Sequence, residues 1–349
     1  MNKVIACLWR FWFDAAPARR LAVLRVLIGS YALWYIYSRW DLLCKLARQS
    51  GRLWNPVGVM RVLGDPMDPV AADWLFATTI IVGVLFVLGA FFRYSGPAFA
   101  VLLLATLCYR NSWSMIYHMH NLLVLHVIIL GFVRSADAFS IDAWRFGRRA
   151  VWVGNSRSCG WEFGWPIKLI WSITAVGYFL AGFAKVMGPT GWMWASGQSM
   201  RSHIAVDSIR KVVLEDVGMD VAFVLYDQVW LFTLLGIATY LLELGAPMFL
   251  ANKHAVRIWA LATFAMHWGI FFIMGIKFRY QLAFIMFLPY FKVEWIADRC
   301  SHAGRMLVGS MVKLGFWSPF VRSTRSAVSA VGARTTAGNE DFHSAGRVT

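Results

Sequence analysis

Apolar runs of about 20 residues, the length of helix that spans a bilayer, recur along this 349-residue chain. That repetition constrains the fold more than any motif does. It predicts an all-α, polytopic transmembrane helical bundle of about eight spans, roughly 21–43, 74–92, 97–112, 119–135, 166–186, 228–250, 257–276 and 279–297. The balance of residues agrees. The chain is 59% hydrophobic and only 15% charged, where a soluble domain carries about 25% charged residues. Nineteen tryptophans suit aromatic belts at the two membrane interfaces.

The formal net charge of +16 does not point to nucleic acid. Lys and Arg sit mainly between the apolar runs and in the tail, as the positive-inside rule expects, and there they also attract anionic membrane lipid. With eight spans, the basic N-terminus (Lys3, Arg10, Arg19, Arg20), the Arg145–Arg157 connection, the turn with Lys253 and Arg257, and the tail all fall on one side. Both termini are therefore expected in the cytoplasm, the protein in the cell membrane, and the long 187–227 connection outside. Two regions follow: a transmembrane domain over 1–298 and a basic tail over 299–349. The tail is expected to be partly disordered, with an amphipathic surface segment at 303–321. The five cysteines are scattered without a CxxC pair, so neither a disulfide framework nor a metal site is expected. The first apolar run is too long for a cleavable signal.

Ionisable residues inside apolar spans are costly and so mark candidate sites. Lys185 closes the run PIKLIWSITAVGYFLAGFA just before Gly188-Pro189 and Trp192. It reads either as an amine anchored at the interface or as a desolvated amine able to act as a base. His118, His120 and Asn121 open the fourth run. Two positions apart, the histidines point to different helix faces and make a poor chelating pair. His120 and Asn121 could still hydrogen-bond in an outer cavity, or serve structure alone. His126 and His267 lie deeper. Glu243 sits beside Gly245 and Pro247, and Arg25 on the first span is its expected ion-pair partner. HExxH, GxSxG, Walker and GxGxxG patterns are all absent.

Three stretches resemble the horizontally transferred transmembrane (HTTM) domain family, which includes the membrane part of the vitamin K-dependent gamma-glutamyl carboxylases. They are NSWSMIYHMHNLLVLHVIILGFVRSADAFSIDAW (Asn111–Trp144, closing on Ser140-x-Asp142), YFLAGFAKVMGPTGWMWASGQSM (Tyr178–Met200) and TFAMHWGIFFIMGIKF (Thr263–Phe278). RLAVLRVLIG (Arg20–Gly29) is similar to the family's first helix. The resemblance covers roughly residues 10–297. It implies that Lys185 stands where the carboxylase has the base that deprotonates vitamin K hydroquinone. It further implies that His120 stands near the family's helix-four histidine and His267 at its helix-seven histidine. His118, Asn121 and Trp192 are the candidate cofactor-binding positions beside them. The implied cofactor is a quinone or quinol.

Two functions follow as expectations. One is a quinol-linked carboxylase or oxidoreductase of the gamma-carboxylase-like class, with an outward-facing site. The other is a non-catalytic membrane subunit or scaffold that helps mature, export or assemble a partner membrane or secreted protein.

Overall fold

In the computed structural model, residues 3–113, 116–145, 159–214, 219, 221–296 and 299 are described. Residues Met1–Ala297 make one compact unit and Asp298–Thr349 a second. The expected tail, with its amphipathic segment at 303–321, lies outside the described residues apart from Arg299.

The described chain is mostly helical. Its principal helices are α1 (Lys3–Trp12), α2 (Ala18–Tyr37), α3 (Trp40–Ala47), α4 (Pro69–Leu88), α5 (Phe92–Asn111), α6 (Asn121–Phe132), α7 (Trp161–Met187), α8 (Gln198–Val213), α9 (Val229–Leu244) and α10 (Ala255–Met274). Among the described residues, α4, α5, α7 and α10 are long and apolar enough to cross a membrane. A fifth crossing is available if α2 and α3, bent by 53°, act as one. α6 and α9 are apolar but shorter.

Local chemistry sets the helix ends. Asp68 caps α4 by accepting from the Val70 N–H at 2.9 Å, and Pro69 follows at the first helical position. Gly89, at φ +62°, ends α4 in the left-handed conformation that glycine adopts without strain. The carboxylate of Asp142 then starts α5, accepting from the Phe91 N–H at 3.0 Å and the Phe92 N–H at 2.7 Å. Ser140 Oγ donates to Ala136 O at 2.5 Å and accepts from the Ala143 N–H at 2.9 Å. The Ser-x-Asp stretch therefore has a structural task, closing the corner where α4, α5 and the chain after α6 meet.

Arg25 is not the partner of Glu243, contrary to expectation. It is fully buried and donates to three backbone carbonyls, Ser135 O at 2.7 Å, Val87 O at 3.3 Å and Phe139 O at 2.5 Å. Carbonyls left over at helix ends are acceptors that a buried guanidinium fork can satisfy several at a time. His126 is likewise structural. Thr174 Oγ1 gives its one proton to Ile170 O at 2.8 Å, so it must accept from His126 Nε2 at 2.9 Å. His126 Nδ1 then accepts from the Tyr280 hydroxyl at 2.8 Å. Both ring nitrogens are used, which fixes the neutral Nε2–H tautomer.

The eighth expected helix, 279–297, does not form. The segment has one turn at Arg279–Leu282 and a 3-10 stretch at Ile285–Tyr290, with Phe284 at φ +62° and Pro289 inside, before helical residues at 294–296. A left-handed residue and a missing N–H both break an α-helical ladder. The segment nevertheless runs back along α10. Arg257, at the start of α10, donates to Tyr290 O at 3.3 Å, and Arg20, at the start of α2, grips Glu294 at 2.8 and 2.6 Å. Tyr280, Gln281, Met286, Phe287, Tyr290 and Val293 are all buried. Irregular backbone is tolerable at membrane depth when protein covers it in this way.

Candidate functional site

α7 carries Tyr178, Gly182 and Lys185, spaced i, i+4 and i+7, which puts all three on one helix face. α9 lies against that face. A Cβ on Gly182 would stand 2.8 Å from the Glu243 Cβ, so glycine permits the approach that brings the acid to the amine. Lys185 Nζ donates to both oxygens of Glu243, at 2.7 and 2.6 Å. The Glu243 side chain is 8% exposed and that of Lys185 26%.

Lys185 is not at an end of the bundle. Beyond it the chain continues beside α9 in the opposite sense. Gly191 O accepts from Tyr240 Oη at 2.7 Å, Ser196 O accepts from Thr233 Oγ1 at 2.8 Å, and the Trp194 carbonyl lies against Gly236. The expected outer connection is thus partly packed structure, and it includes α8. The ring of Trp194 lies 5.9 Å from Lys185 Nζ, within reach of a weak cation–π contact. Trp192 turns away, 65% exposed and 5.3 Å from the Tyr240 ring.

His267, on α10, faces the same space. Its Nδ1–H donates to Thr263 O, one turn back, at 2.8 Å. That bond leaves Nε2 as an acceptor, and the Tyr178 hydroxyl approaches it at 3.4 Å. The contact is long for an O–H···N bond, so a better-placed donor could displace it. His267 is 5% exposed.

These groups border a cavity of about 880 Å³, within the range of small-molecule sites. Its wall is mostly apolar and includes Leu122, Leu125, Leu180, Met266 and Ile270. The polar groups on it are Asn121, Ser172, Tyr178, Lys185, Glu243, His267 and Gln281. Among the described residues the amide oxygen of Gln281, itself only 5% exposed, has no hydrogen-bond partner.

Of the six residues singled out in the sequence, Lys185, His267 and Asn121 line this cavity. His120 does not. Its ring packs at a tilt against Tyr35, centroids 4.6 Å apart, on the other side of the α6 start. The turn His118–His120 includes His118, whose side chain lies outside the described part of the structure. Trp192 is not on the cavity wall. Sequence reasoning missed Glu243 as the lysine's partner, and it missed Tyr178 and Gln281 altogether. The Tyr178–Lys185 spacing was the available signal for the tyrosine; nothing local marked Gln281. Among the described residues no group of three His, Cys, Asp or Glu side chains is arranged to hold a metal.

No family model, curated protein or solved structure matches the chain.

Proposed function

We propose that the chain is a multi-pass protein of the cell membrane whose cavity binds a lipid-soluble hydroquinone and removes a proton from it, as the resemblance to the HTTM family implies. The observation that carries this reading is the convergence of the Lys185–Glu243 pair and His267 Nε2 on one apolar cavity. A quinol is flat and apolar at its core, with a hydroxyl at each end. The cavity supplies apolar walls, a charged pair, a histidine acceptor and the unused Gln281 oxygen. An ammonium already bonded to a carboxylate has no lone pair to offer. The proton therefore passes from the quinol hydroxyl to the Glu243 carboxylate, and the Lys185 ammonium holds the resulting quinolate oxygen as an ion pair. His267 Nε2 accepts from the second hydroxyl in place of Tyr178 and fixes the ring's orientation.

The topology belongs to the same proposal. The chain crosses eight times, the last crossing being the buried irregular return along α10. The basic N-terminus, the connection before α7 and the tail face the cytoplasm. The cavity then opens toward the outer half. A purely scaffolding role would not need acid, amine and imidazole on one cavity.

The test is binding of menadiol, a quinol without a long tail, to the purified protein in nanodiscs, read by tryptophan quenching and by proton exchange with a weak buffer. The expected result is saturable quenching that weakens at least about tenfold in Glu243→Gln and in Lys185→Met, as loss of a charge-assisted hydrogen bond implies. Equal binding by both variants and the parent would remove the pair from the site, and no quenching in the parent would remove the quinol.

A further inference from the structure

Arg110 sits in the last turn of α5 and is 8% exposed. Among the described residues its buried Nε and Nη1 have no hydrogen-bond partner. Arg25 also leaves its Nε unmet but donates its two other nitrogens to three carbonyls, and Arg20 and Arg48 hold Glu294 and Asp73. Leaving buried donors of a charged group unmet costs more than leaving those of a neutral one. Such a group persists where something meets it.

The surroundings of Arg110 are aromatic and basic. Its guanidinium carbon lies 4.1 Å from the centre of the Tyr117 ring, and Asn111 Oδ1 accepts from the Tyr117 N–H at 3.4 Å, which helps hold that ring in place. The His120 ring lies 6.1 Å from Tyr117 and 4.6 Å from Tyr35. On Tyr35 rests a second guanidinium, that of Arg39, at 4.0 Å. Arg110, Arg39 and Arg279 are all close enough to act electrostatically on Tyr35, and Arg110 and Arg279 both act on Arg39. No carboxylate appears among these interactions. Among the described residues none of the three arginines has an ion-pair partner. Three like charges gathered without an acid repel one another, and a bound anion removes that repulsion. Met119 and Asn121 line the apolar cavity, whereas His120 between them packs on Tyr35. His120, with the Tyr35 ring it packs on, is therefore across the α6 start from the cavity, while Arg279 stands in the chain between the cavity-lining Phe278 and Gln281.

We propose that this corner is a binding site for a phosphate group, with the Arg110 fork as its buried floor and Arg39 and Arg279 closing over it. Guanidinium forks match phosphate oxygens in pairs. A phosphomonoester carries about −1.5 to −2 at neutral pH, a closer match to three arginines than a single carboxylate. The group arrives either as soluble phosphate or as the headgroup of an anionic lipid such as phosphatidic acid. The site does not depend on the quinol reading.

The experiment measures thermal unfolding of the full chain in phosphatidylcholine nanodiscs. Inorganic phosphate is added against chloride at matched ionic strength in one arm, and phosphatidic acid is included in the nanodisc in the other. A rise in Tm of about 3 °C or more is expected in at least one arm. A response to inorganic phosphate assigns the soluble source, and a response to phosphatidic acid alone assigns the lipid. Arg110→Gln abolishes the rise. If that variant does not fold, Arg39→Gln and Arg279→Gln, both nearer the surface, decide the matter by at least halving the rise. No rise in either arm, or the same rise in parent, Arg39→Gln and Arg279→Gln, overturns the proposal.

Discussion

Lys185→Met is the most informative single change in this molecule. It leaves Glu243, with its side chain 8% exposed, as a buried carboxylate without its cation. Removing one partner of a buried pair costs about 3–5 kcal/mol. Lys185 is itself 26% exposed, so some solvent already reaches the pair and the lower end, about 3 kcal/mol, applies. Glu243→Gln keeps the shape and frees an amine that can turn toward solvent, so its cost is smaller, about 1–2 kcal/mol. The double variant has neither charge and should cost little more than Glu243→Gln alone. The coupling between the two positions is then nearly the whole cost of Lys185→Met, about 3 kcal/mol. Reversible unfolding in mixed micelles of graded denaturing detergent, followed by circular dichroism, gives the four stabilities of the cycle. Single-variant costs that add to within about 0.5 kcal/mol would show that the two side chains do not interact. The reasoning that joins α7 to α9 through them would then fail.

Two further outcomes use the same assay. Gly182→Ala places a methyl group 2.8 Å from the Glu243 Cβ, so α7 and α9 must move apart, at a cost of about 1–3 kcal/mol; repeating the cycle on this background should show a reduced Lys185–Glu243 coupling, and an unchanged one would mean the close approach is not needed. Asp142→Ala removes the acceptor of the Phe91 and Phe92 N–H groups and should cost about 1–2 kcal/mol, as loss of a helix cap does, with amide exchange at those two positions rising first.

The helices of the fold were legible because hydropathy reports them directly. α4, α5, α7 and α10 fall close to the apolar runs that predict them, differing mainly where Asp68 and Gly89 set the ends of α4 and where α7 extends to Trp161 and Met187. The return segment misled because Tyr280, Phe287 and Tyr290 are as apolar as helix residues, while Pro289 and the left-handed Phe284 decide the backbone. The site was half legible. Lys185 and His267 stand out as rare ionisable residues in apolar runs. The partner of Glu243 did not, because hydropathy assigns depth along one helix and says nothing about which helices break. α9 stops at Gly245, and residues 188–197 run beside it, so Glu243 meets the end of α7 instead of Arg25. The partners of Arg25 are main-chain oxygens, to which side-chain identity gives no clue.

The Arg25 clamp also sets an order of events while the chain is being made. The guanidinium enters with the first apolar helix, yet the Ser135 carbonyl it needs lies 110 residues further on. At about 5–20 residues per second, the ribosome takes on the order of 5–20 seconds to deliver it. Through that interval the guanidinium lacks two of its three acceptors, and a buried charged donor left unmet is costly. The clamp on Arg25 is complete only once α4, α5, α6 and the residues up to Phe139 have followed α2. A nascent chain halted before Ser135 holds only the Val87 carbonyl of the three acceptors, so the clamp is two hydrogen bonds short of its finished form.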